Sequence, residues 1–363
     1  MASGSDKGDR DRPGLTTRHV FLDTQAYRAH AHDLSSAPFK VLGDLIGEDR
    51  VTLHTTDITL KEARRQIGEE IASIDRDAGE LRKKHAQWQR RFPRAEMPEI
   101  AKIDLDRLAH SAISGFESTI QRDWKAQTHE ALGCDPRMIF EKYFARKPPF
   151  DAGKGKEFPD AFVIEVLANW CRKTNSTMYV VTSDAAMQRA ASETGLLIPA
   201  STLPDVLGIA AEAQTPELTA AIEKVIETQK FLDALQEYVQ EHFGWLGTVY
   251  SGDYTEGEIL DTEVSGDLEV LKFSIISAYE DTVGTIFTLR VPLEVTVLFV
   301  DEGRSWYDKE SAEWHYDEKE VGIFEDAPII KVYVELDRTD MEVSDINILT
   351  TDVYLSEPYE NYK

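Results

Sequence analysis

Apolar strands and amphipathic helices alternate along the first half of the chain. The short apolar runs typical of buried parallel strands are residues 19–22, 51–54, 178–181 and 196–200. Between these runs, apolar side chains recur at helical spacing, as they do over residues 57–74 and again after Pro159. This alternation predicts an α/β domain over residues 17–205, with a parallel sheet flanked by helices.

Two stretches depart from that alternation. Residues 76–145 are long, polar and mostly helical in pattern, and we interpret them as a helical insertion in the α/β domain. Residues 1–16 are polar, without an apolar run, and we expect them to form a disordered tail.

The hydrophobic period changes after residue 205. Residues 206–244 contain one amphipathic pattern between a Thr215-Pro216 start signal and Gly244, which predicts a long connecting helix. Apolar and polar residues then alternate with a period of two in several runs up to residue 355. We therefore expect residues 245–363 to form a mainly antiparallel β domain with an acidic outer face.

Charge divides the chain into two different halves. The net charge is -26, yet residues 1–200 hold 30 basic and 30 acidic side chains, while residues 201–363 hold 10 basic and 36 acidic ones. Like charge repels a nucleic-acid backbone, so the β domain is not expected to bind nucleic acid. A protein-partner surface, self-association, a negatively charged lid over the first domain and a plain soluble appendage all remain open. The aromatic residues of the 303–320 stretch are the expected contact surface, and their burial in the β domain is an equal alternative.

Cysteine usage and hydropathy indicate the compartment. Cys134 and Cys171 have no paired spacing, which favours free thiols in a reducing environment. The start of the chain has no signal-peptide pattern, and the apolar stretch from Val291 is short and interrupted by Glu294. We expect a cytoplasmic protein without membrane insertion.

Four carboxylates stand out by their position. The first strand ends at Asp23, Asp184 follows the 178–181 strand, and Glu62 and Asp160 lie in helices that start near the same sheet edge. Carboxylates crowded there repel one another by about 4 kcal/mol per pair at roughly 4 Å and an effective dielectric constant near 20. A divalent cation offsets this repulsion, and oxygen-only ligands favour Mg²⁺ or Mn²⁺. The chemistry that such a site supports is metal-assisted phosphodiester hydrolysis.

Most of these carboxylates also have a structural interpretation. Glu62 fits a capping box that begins at Thr59, Asp160 stands at a helix N-terminus, and Asp184 can cap the helix that follows it. Asp23 has the fewest structural explanations, because it stands at the tip of an apolar strand.

Basic side chains provide a second indication of nucleic acid. Residues 81–94 carry six Lys or Arg, no acid, and two aromatic residues, while Arg146, Lys154 and Lys156 precede Asp160. Cations neutralise phosphates and aromatic rings stack on unpaired bases. A solvated helix face and a surface loop are the alternative interpretations.

Other catalytic classes lack their sequence signals. The GKGKEF segment does not have the spacing of a phosphate-binding loop, and neither a GxSxG nor an HExxH motif occurs. Gln25 stands where a phosphatase of the aspartyl-nucleophile type needs a second aspartate.

The segments FLDT, TLKEARRQI, KEFPDAFVIEVL and VVTSDAAM resemble, in this order, the acidic motifs of PIN-domain nucleases. The resemblance covers roughly residues 18–200 and implies a PIN-like fold. The long helical stretch and the β domain depart from a minimal PIN domain. The KEFPDA segment is similar to a subgroup of bacterial PIN-like proteins, which implies a toxin or an effector of defence against phage.

The resemblance also implies residue roles. Asp23, Glu62, Asp160 and Asp184 would hold the metal and act in catalysis, with Thr24 and Thr182 as hydrogen-bonding neighbours in contact with nucleic acid. The implied substrate is RNA, with single-stranded DNA as a second possibility. The alternative hypothesis is a catalytically inactive PIN-like module that binds nucleic acid or protein.

Overall fold

The structure is a computed structural model. It describes the following residues: 14–94, 100, 102, 104–150, 157–211, 215–252, 256–300, 306–308, 313–315 and 319–357. The chain divides into two compact units, Leu15–Val206 and a second one formed mainly by Leu207–Lys363.

The first unit is built on a parallel five-stranded sheet in the order β3-β2-β1-β4-β5. Its strands are β1 (His19–Leu22), β2 (Thr52–Thr56), β3 (Gln127–His129), β4 (Met178–Val181) and β5 (Leu197–Ala200). The predicted α/β class is confirmed. The chain fills one side of β1 first and then continues on the other side with β4, so the strand order reverses between β1 and β4. Ligands of open α/β sheets bind at such a reversal, outside the carboxyl ends of the strands.

Helices flank this sheet. They are α1 (Thr24–Arg28), α2 (Ala37–Gly47), α3 (Asp57–Arg91), α4 (Leu105–Ser118), α5 (Pro136–Phe144), α6 (Phe158–Thr174) and α7 (Ala185–Glu193). The next helix, α8 (Leu203–Ala210), contains the boundary between the two units. The apolar faces of α6 and α7 pack on β1 and β4 through residues such as Leu167, Phe21 and Val180. Both cysteines are buried free thiols, as the sequence predicts.

The insertion differs from the predicted one. The helix α3 runs unbroken for 35 residues, about 50 Å, so the polar stretch is continuous with the helix that follows β2. The stretch 76–145, predicted to be mostly helical, also contains Gln127–His129, which pair with β2 as the edge strand β3. Three residues are too few to show a strand period in the sequence.

A row of histidines crosses this sheet. His19 Nδ1 lies 3.0 Å from His54 Nε2, and His54 Nδ1 lies 2.8 Å from His129 Nε2. The indole of Trp170 packs against all three rings. His54 is fully buried, and this burial, together with repulsion by His19 and His129, lowers its pKa to about 2. The central ring of the row, that of His54, is therefore neutral.

Two helices open the second unit where the sequence predicts one. They are α9 (Pro216–Ile226) and α10 (Gln229–His242), and the chain leaves the helical path at Glu227 and Thr228. Thr228 Oγ1 accepts a hydrogen bond from Phe231 N at 3.4 Å, which starts the second helix. Ile222 and Leu235 are buried in the core of the second unit, so these helices belong to that core and do not form a connector.

Strands make up the rest of the second unit. They are β6 (Gly247–Tyr250), β7 (Glu258–Val264), β8 (Glu269–Ala278), β9 (Thr282–Arg290), β10 (Leu293–Val300), β11 (Trp306–Asp308), β12 (Glu313–His315), β13 (Lys319–Asp326), β14 (Ile329–Asp337), β15 (Val343–Ile348) and β16 (Asp352–Leu355). The larger sheets, β13-β10-β7 and β15-β14-β9-β8, are antiparallel, which confirms the predicted β region.

The apolar run over residues 285–300 is split at Val291-Pro292. Its two parts, β9 and β10, belong to different sheets. Proline has no N–H to donate to a sheet, so the run breaks there. The side chains of the aromatic 303–320 stretch lie outside the described residues, and its role as a contact surface stays a prediction.

Among the helices that the structure describes, none combines the length and the apolar character needed to cross a lipid bilayer.

Candidate active site

The carboxyl ends of β1 and β4 meet at the reversal of strand order. Asp23 follows β1 directly, and its N–H donates to the carbonyl of Val181, the last residue of β4, at 3.0 Å. Thr182, Ser183 and Asp184 continue from β4 into α7. The first and the last predicted carboxylates are thereby placed on neighbouring strands.

Asp23 is held by two threonines. Thr182 Oγ1 donates to Asp23 Oδ2 at 2.8 Å, and Thr24 donates to Asp23 Oδ1 from its N–H at 2.7 Å and from its hydroxyl at 3.3 Å. Only 7% of Asp23 is exposed. Burial raises the pKa of this carboxyl by more than these hydrogen bonds lower it, and the charge of Asp184 raises it further.

Glu62 reaches the same edge from the second turn of α3. Its Oε2 lies 3.3 Å from Thr24 Oγ1, the hydroxyl that also faces Asp23. Burial and the charge of Asp23 raise the pKa of Glu62. The capping-box alternative is wrong, because α3 is capped by Thr56, whose Oγ1 accepts from Thr59 N at 3.0 Å.

Asp160 lies in the first turn of α6. Burial raises its pKa to about 8, and the charges of Asp23, Glu157 and Glu62 contribute. Sequence reasoning missed Glu157, which stands at the N-terminus of α6 and hydrogen-bonds with Asp160. The signal was present in the KEFPD segment, where two acids are three residues apart across the start of a helix.

Asp184 is a helix cap, which was the structural interpretation of this residue. Its Oδ1 caps α7 by accepting a hydrogen bond from Met187 N at 2.8 Å. Its charge also raises the pKa of Asp23. The structure thus brings the four predicted carboxylates to one sheet edge, where Asp23 interacts electrostatically with each of the other three.

Helix N-termini supply the positive potential at this edge. Asp23 caps α1, Asp184 caps α7, and Asp160 lies in the first turn of α6. Each N-terminus carries roughly half a positive charge. In the part of the chain that the structure describes, the ion pairs of the first unit lie elsewhere and do not include the four carboxylates.

The donor set matches a divalent cation in its chemistry. Carboxylate oxygens are the ligands of Mg²⁺ and Mn²⁺. Burial first, and the charges of neighbouring carboxylates second, raise the pKa values of Asp23, Glu62 and Asp160, and a cation at this edge would favour their ionised forms. The side chains are spread more widely than one ion requires. Among the described residues, no three His, Cys, Asp or Glu side chains stand at ligand spacing. Asp23, Glu62, Asp160 and Asp184 are the residues that would hold an ion here.

The predicted nucleic-acid contacts are distributed unevenly. Thr24 and Thr182 are buried against Asp23, whereas Arg146 is exposed just after α5. Lys154 and Lys156 lie outside the described residues. The basic segment 81–94 occupies the far end of α3 and the turn after it, and Arg90 is about 40 Å along the helix axis from Glu62.

One further contact at the edge was missed by sequence reasoning. Ser183 Oγ donates to Gln25 Oε1 at 2.6 Å, which joins the start of α1 to the loop after β4 on the exposed side.

Comparison with known proteins identifies the family of the first unit. The family model of the PIN domain matches residues 20–187, a range that contains all four carboxylates. No curated protein and no solved structure matches the chain.

Proposed function

Because this chain is a PIN-domain protein, we propose that it is a metal-dependent nuclease that hydrolyses phosphodiester bonds in nucleic acid, with RNA favoured. PIN domains are generally nucleases and typically use divalent metal ions. The observation that carries the proposal is the group of carboxylates at the strand-order reversal, where the pKa of Asp160 is raised to about 8.

The proposed mechanism assigns a task to each group. Asp23, Asp160 and Asp184 would hold a Mg²⁺ or Mn²⁺ ion, which would supply a water of lowered pKa and neutralise charge on the scissile phosphate. Thr182 keeps Asp23 in one orientation through its 2.8 Å hydrogen bond. Glu62 positions the attacking water, and its raised pKa makes it a better proton acceptor than an exposed glutamate. The N-termini of α6 and α7 attract the phosphate.

Strand scission in the presence of Mn²⁺ tests the proposal. The full chain is expected to cut single-stranded RNA faster than single-stranded DNA of the same sequence, and a chelator is expected to stop both reactions. Asp160→Asn is expected to lower the rate at least about 100-fold, because an amide offers a weaker ligand to a cation than a carboxylate does. Denaturing gels that resolve the fragments give the rates.

Asp123→Asn is the matched control, because Asp123 is an exposed carboxylate of the same unit. Its rate should equal that of the unsubstituted chain. Equal, background-level scission by the unsubstituted chain and by Asp160→Asn would contradict the nuclease proposal.

Thr182→Val tests the positioning of Asp23. This nearly isosteric change removes the hydroxyl that donates to Asp23 Oδ2, and we expect scission to fall roughly 10- to 100-fold. The lost hydrogen bond lowered the pKa of Asp23, so that pKa rises further and the activity profile should move to higher pH.

Thr55→Val is the control for that change. Thr55 is buried in the same sheet, and its hydroxyl has no hydrogen-bond partner in the part of the chain described. An unshifted pH profile for Thr182→Val, or the same loss in Thr55→Val, would argue against the positioning role.

A second candidate function is a catalytically inactive module that binds nucleic acid or protein. The wide spacing of the carboxylates favours it, since no three described side chains stand at ligand spacing. Binding of RNA without metal-dependent scission would support this candidate.

The acidic second unit fits either candidate as a surface for a protein partner or for self-association. Its excess of carboxylates repels nucleic acid and leaves substrate to the first unit. A cytoplasmic effector role, as a toxin or in defence against phage, is the setting that we propose.

A further inference from the structure

Exposed aromatic rings lie beside the proposed catalytic edge. Phe140, Tyr143 and Phe144 occupy one face of α5, and Phe158 begins α6. We call these four side chains the aromatic patch. The ring of Phe158 lies 5.6 Å from that of Phe140 and 5.1 Å from that of Tyr143, and the rings of Phe140 and Phe144 are stacked.

One side of the patch packs against a buried ring, and the other side is exposed to solvent. Phe150 is almost fully buried, and its ring packs against Tyr143 and Phe158. Phe144, in contrast, is 78% exposed and Phe140 is 48% exposed. Contiguous rings that a protein holds in place and leaves in water mark an interaction surface.

Position links the patch to the carboxylates. Phe158 and Asp160 both belong to the first turn of α6, so the patch begins within one helical turn of the candidate site. Side chains two positions apart on a helix do not face each other, so the patch adjoins the candidate site around the first turn of α6 and not on the same face.

Charge next to the patch favours a polyanion. Arg146 and Lys147 follow Phe144 directly and are exposed. Neither has a carboxylate partner at ion-pair distance among the described residues, unlike Lys142, which pairs with Glu165. Free cations beside aromatic faces are the combination that binds single strands, since cations neutralise the backbone and rings stack on bases.

From this arrangement we propose that the aromatic patch is a stacking platform for unpaired bases of the nucleic-acid substrate. The inference rests on the proposed nuclease function. Duplexes do not fit the platform, because their base faces are already covered by neighbouring bases. Phe144 is the outermost ring and should contribute most to stacking.

Binding measurements test the platform separately from cleavage. The full chain carrying Asp160→Asn is titrated, in chelator, with a short single strand that contains the fluorescent base 2-aminopurine, whose emission is quenched on stacking. Adding Phe144→Ala is expected to weaken binding roughly tenfold and to remove the quenching. Phe144→Leu, which keeps apolar area but not the ring, should behave like Phe144→Ala, whereas Phe144→Trp should retain binding.

Two comparisons sharpen the result. Trp245→Ala removes a ring that is 80% exposed in the acidic second unit, and it should leave affinity unchanged. An abasic strand of equal length has a backbone but no bases. The parent chain and Phe144→Ala should therefore bind it with equal affinity.

Several outcomes would overturn the inference. The first is that Phe144→Ala binds the single strand as tightly as the parent chain does. The second is that the parent chain does not bind the strand. The third is that Phe144→Ala weakens binding of the abasic strand as much as binding of the strand with bases. If the patch instead serves self-association, Phe144→Ala should lower the mass of the protein measured by sedimentation and leave its affinity for the strand unchanged.

Cleavage is measured separately, in the chain that retains Asp160. Stacking without cleavage would contradict the nuclease proposal alone, and cleavage that is indifferent to Phe144 would contradict the platform alone.

Discussion

Asp23→Asn is expected to lower strand scission at least about 1000-fold, the largest loss from any single change in the first unit. Asp23 interacts electrostatically with Glu62, Asp160 and Asp184, so it is the common member of the group. Losing its charge weakens the hold on a cation and on the phosphate, and a loss of about 4 kcal/mol of transition-state stabilisation corresponds to this factor. The rate is measured under single-turnover conditions with Mn²⁺ in excess.

Folding should not explain that loss. Burial raises the pKa of Asp23, so the ionised carboxylate is unfavourable there and a neutral amide should leave thermal stability unchanged or higher in metal-free buffer. Calorimetric titration with Mn²⁺ should show weaker binding by Asp23→Asn than by the exposed control Asp123→Asn. Unchanged Mn²⁺ affinity and unchanged scission together would remove Asp23 from the site.

Acid is expected to destabilise the first unit through His54. Its pKa is about 2 in the folded chain and near 6.5 when unfolded, so the unfolded state binds the extra proton as pH falls below about 6.5. Stability from this group is fully present above that pH and is lost by up to about 1.4 kcal/mol per pH unit below it. The groups that face His54 are His19 and His129 from the neighbouring strands and Trp170 from α6.

Titration of Asp160 affects stability in the opposite direction to titration of His54, so the test must remove the contribution of Asp160. Its raised pKa means that the folded state takes up a proton first, so its contribution to stability rises as pH falls from about 8. Urea unfolding is therefore compared in Asp160→Asn and in Asp160→Asn/His54→Gln between pH 7.5 and pH 5, in chelator. The first should lose about 2 kcal/mol more than the second over this range.

A spectroscopic measurement covers the case in which the double variant does not fold. The imidazole nitrogens of His54, observed by NMR, should keep the shifts of a neutral ring down to about pH 4. Titration of His54 near pH 6.5 would contradict the prediction.

The local pattern of apolar and polar residues was sufficient to predict the helices and strands that are long or strongly apolar. The strands around Val20, Leu53 and Val180 are buried on both faces and were predicted as apolar runs. The edge strand β3 and the break between α9 and α10 were not, because a three-residue strand and a two-residue gap leave no period to detect.

Residue type and position along the chain determined which carboxylates to consider. Parallel strands end at a common edge, so the sequence predicts that Asp23 and Asp184 lie close together. Sequence also indicated the PIN domain, since its acidic motifs follow one another in order, and the family match over residues 20–187 confirms it.

Tertiary structure alone decided what surrounds each side chain. Burial and the approach of neighbouring carboxylates raise the pKa of Asp160 to about 8, and two of these carboxylates, Asp23 and Glu62, are more than 90 positions away in the chain. The same holds for the aromatic patch and for the histidine row, whose members come from separate elements. A linear sequence records which groups are present, whereas their desolvation and mutual distances arise only when the helices and strands pack.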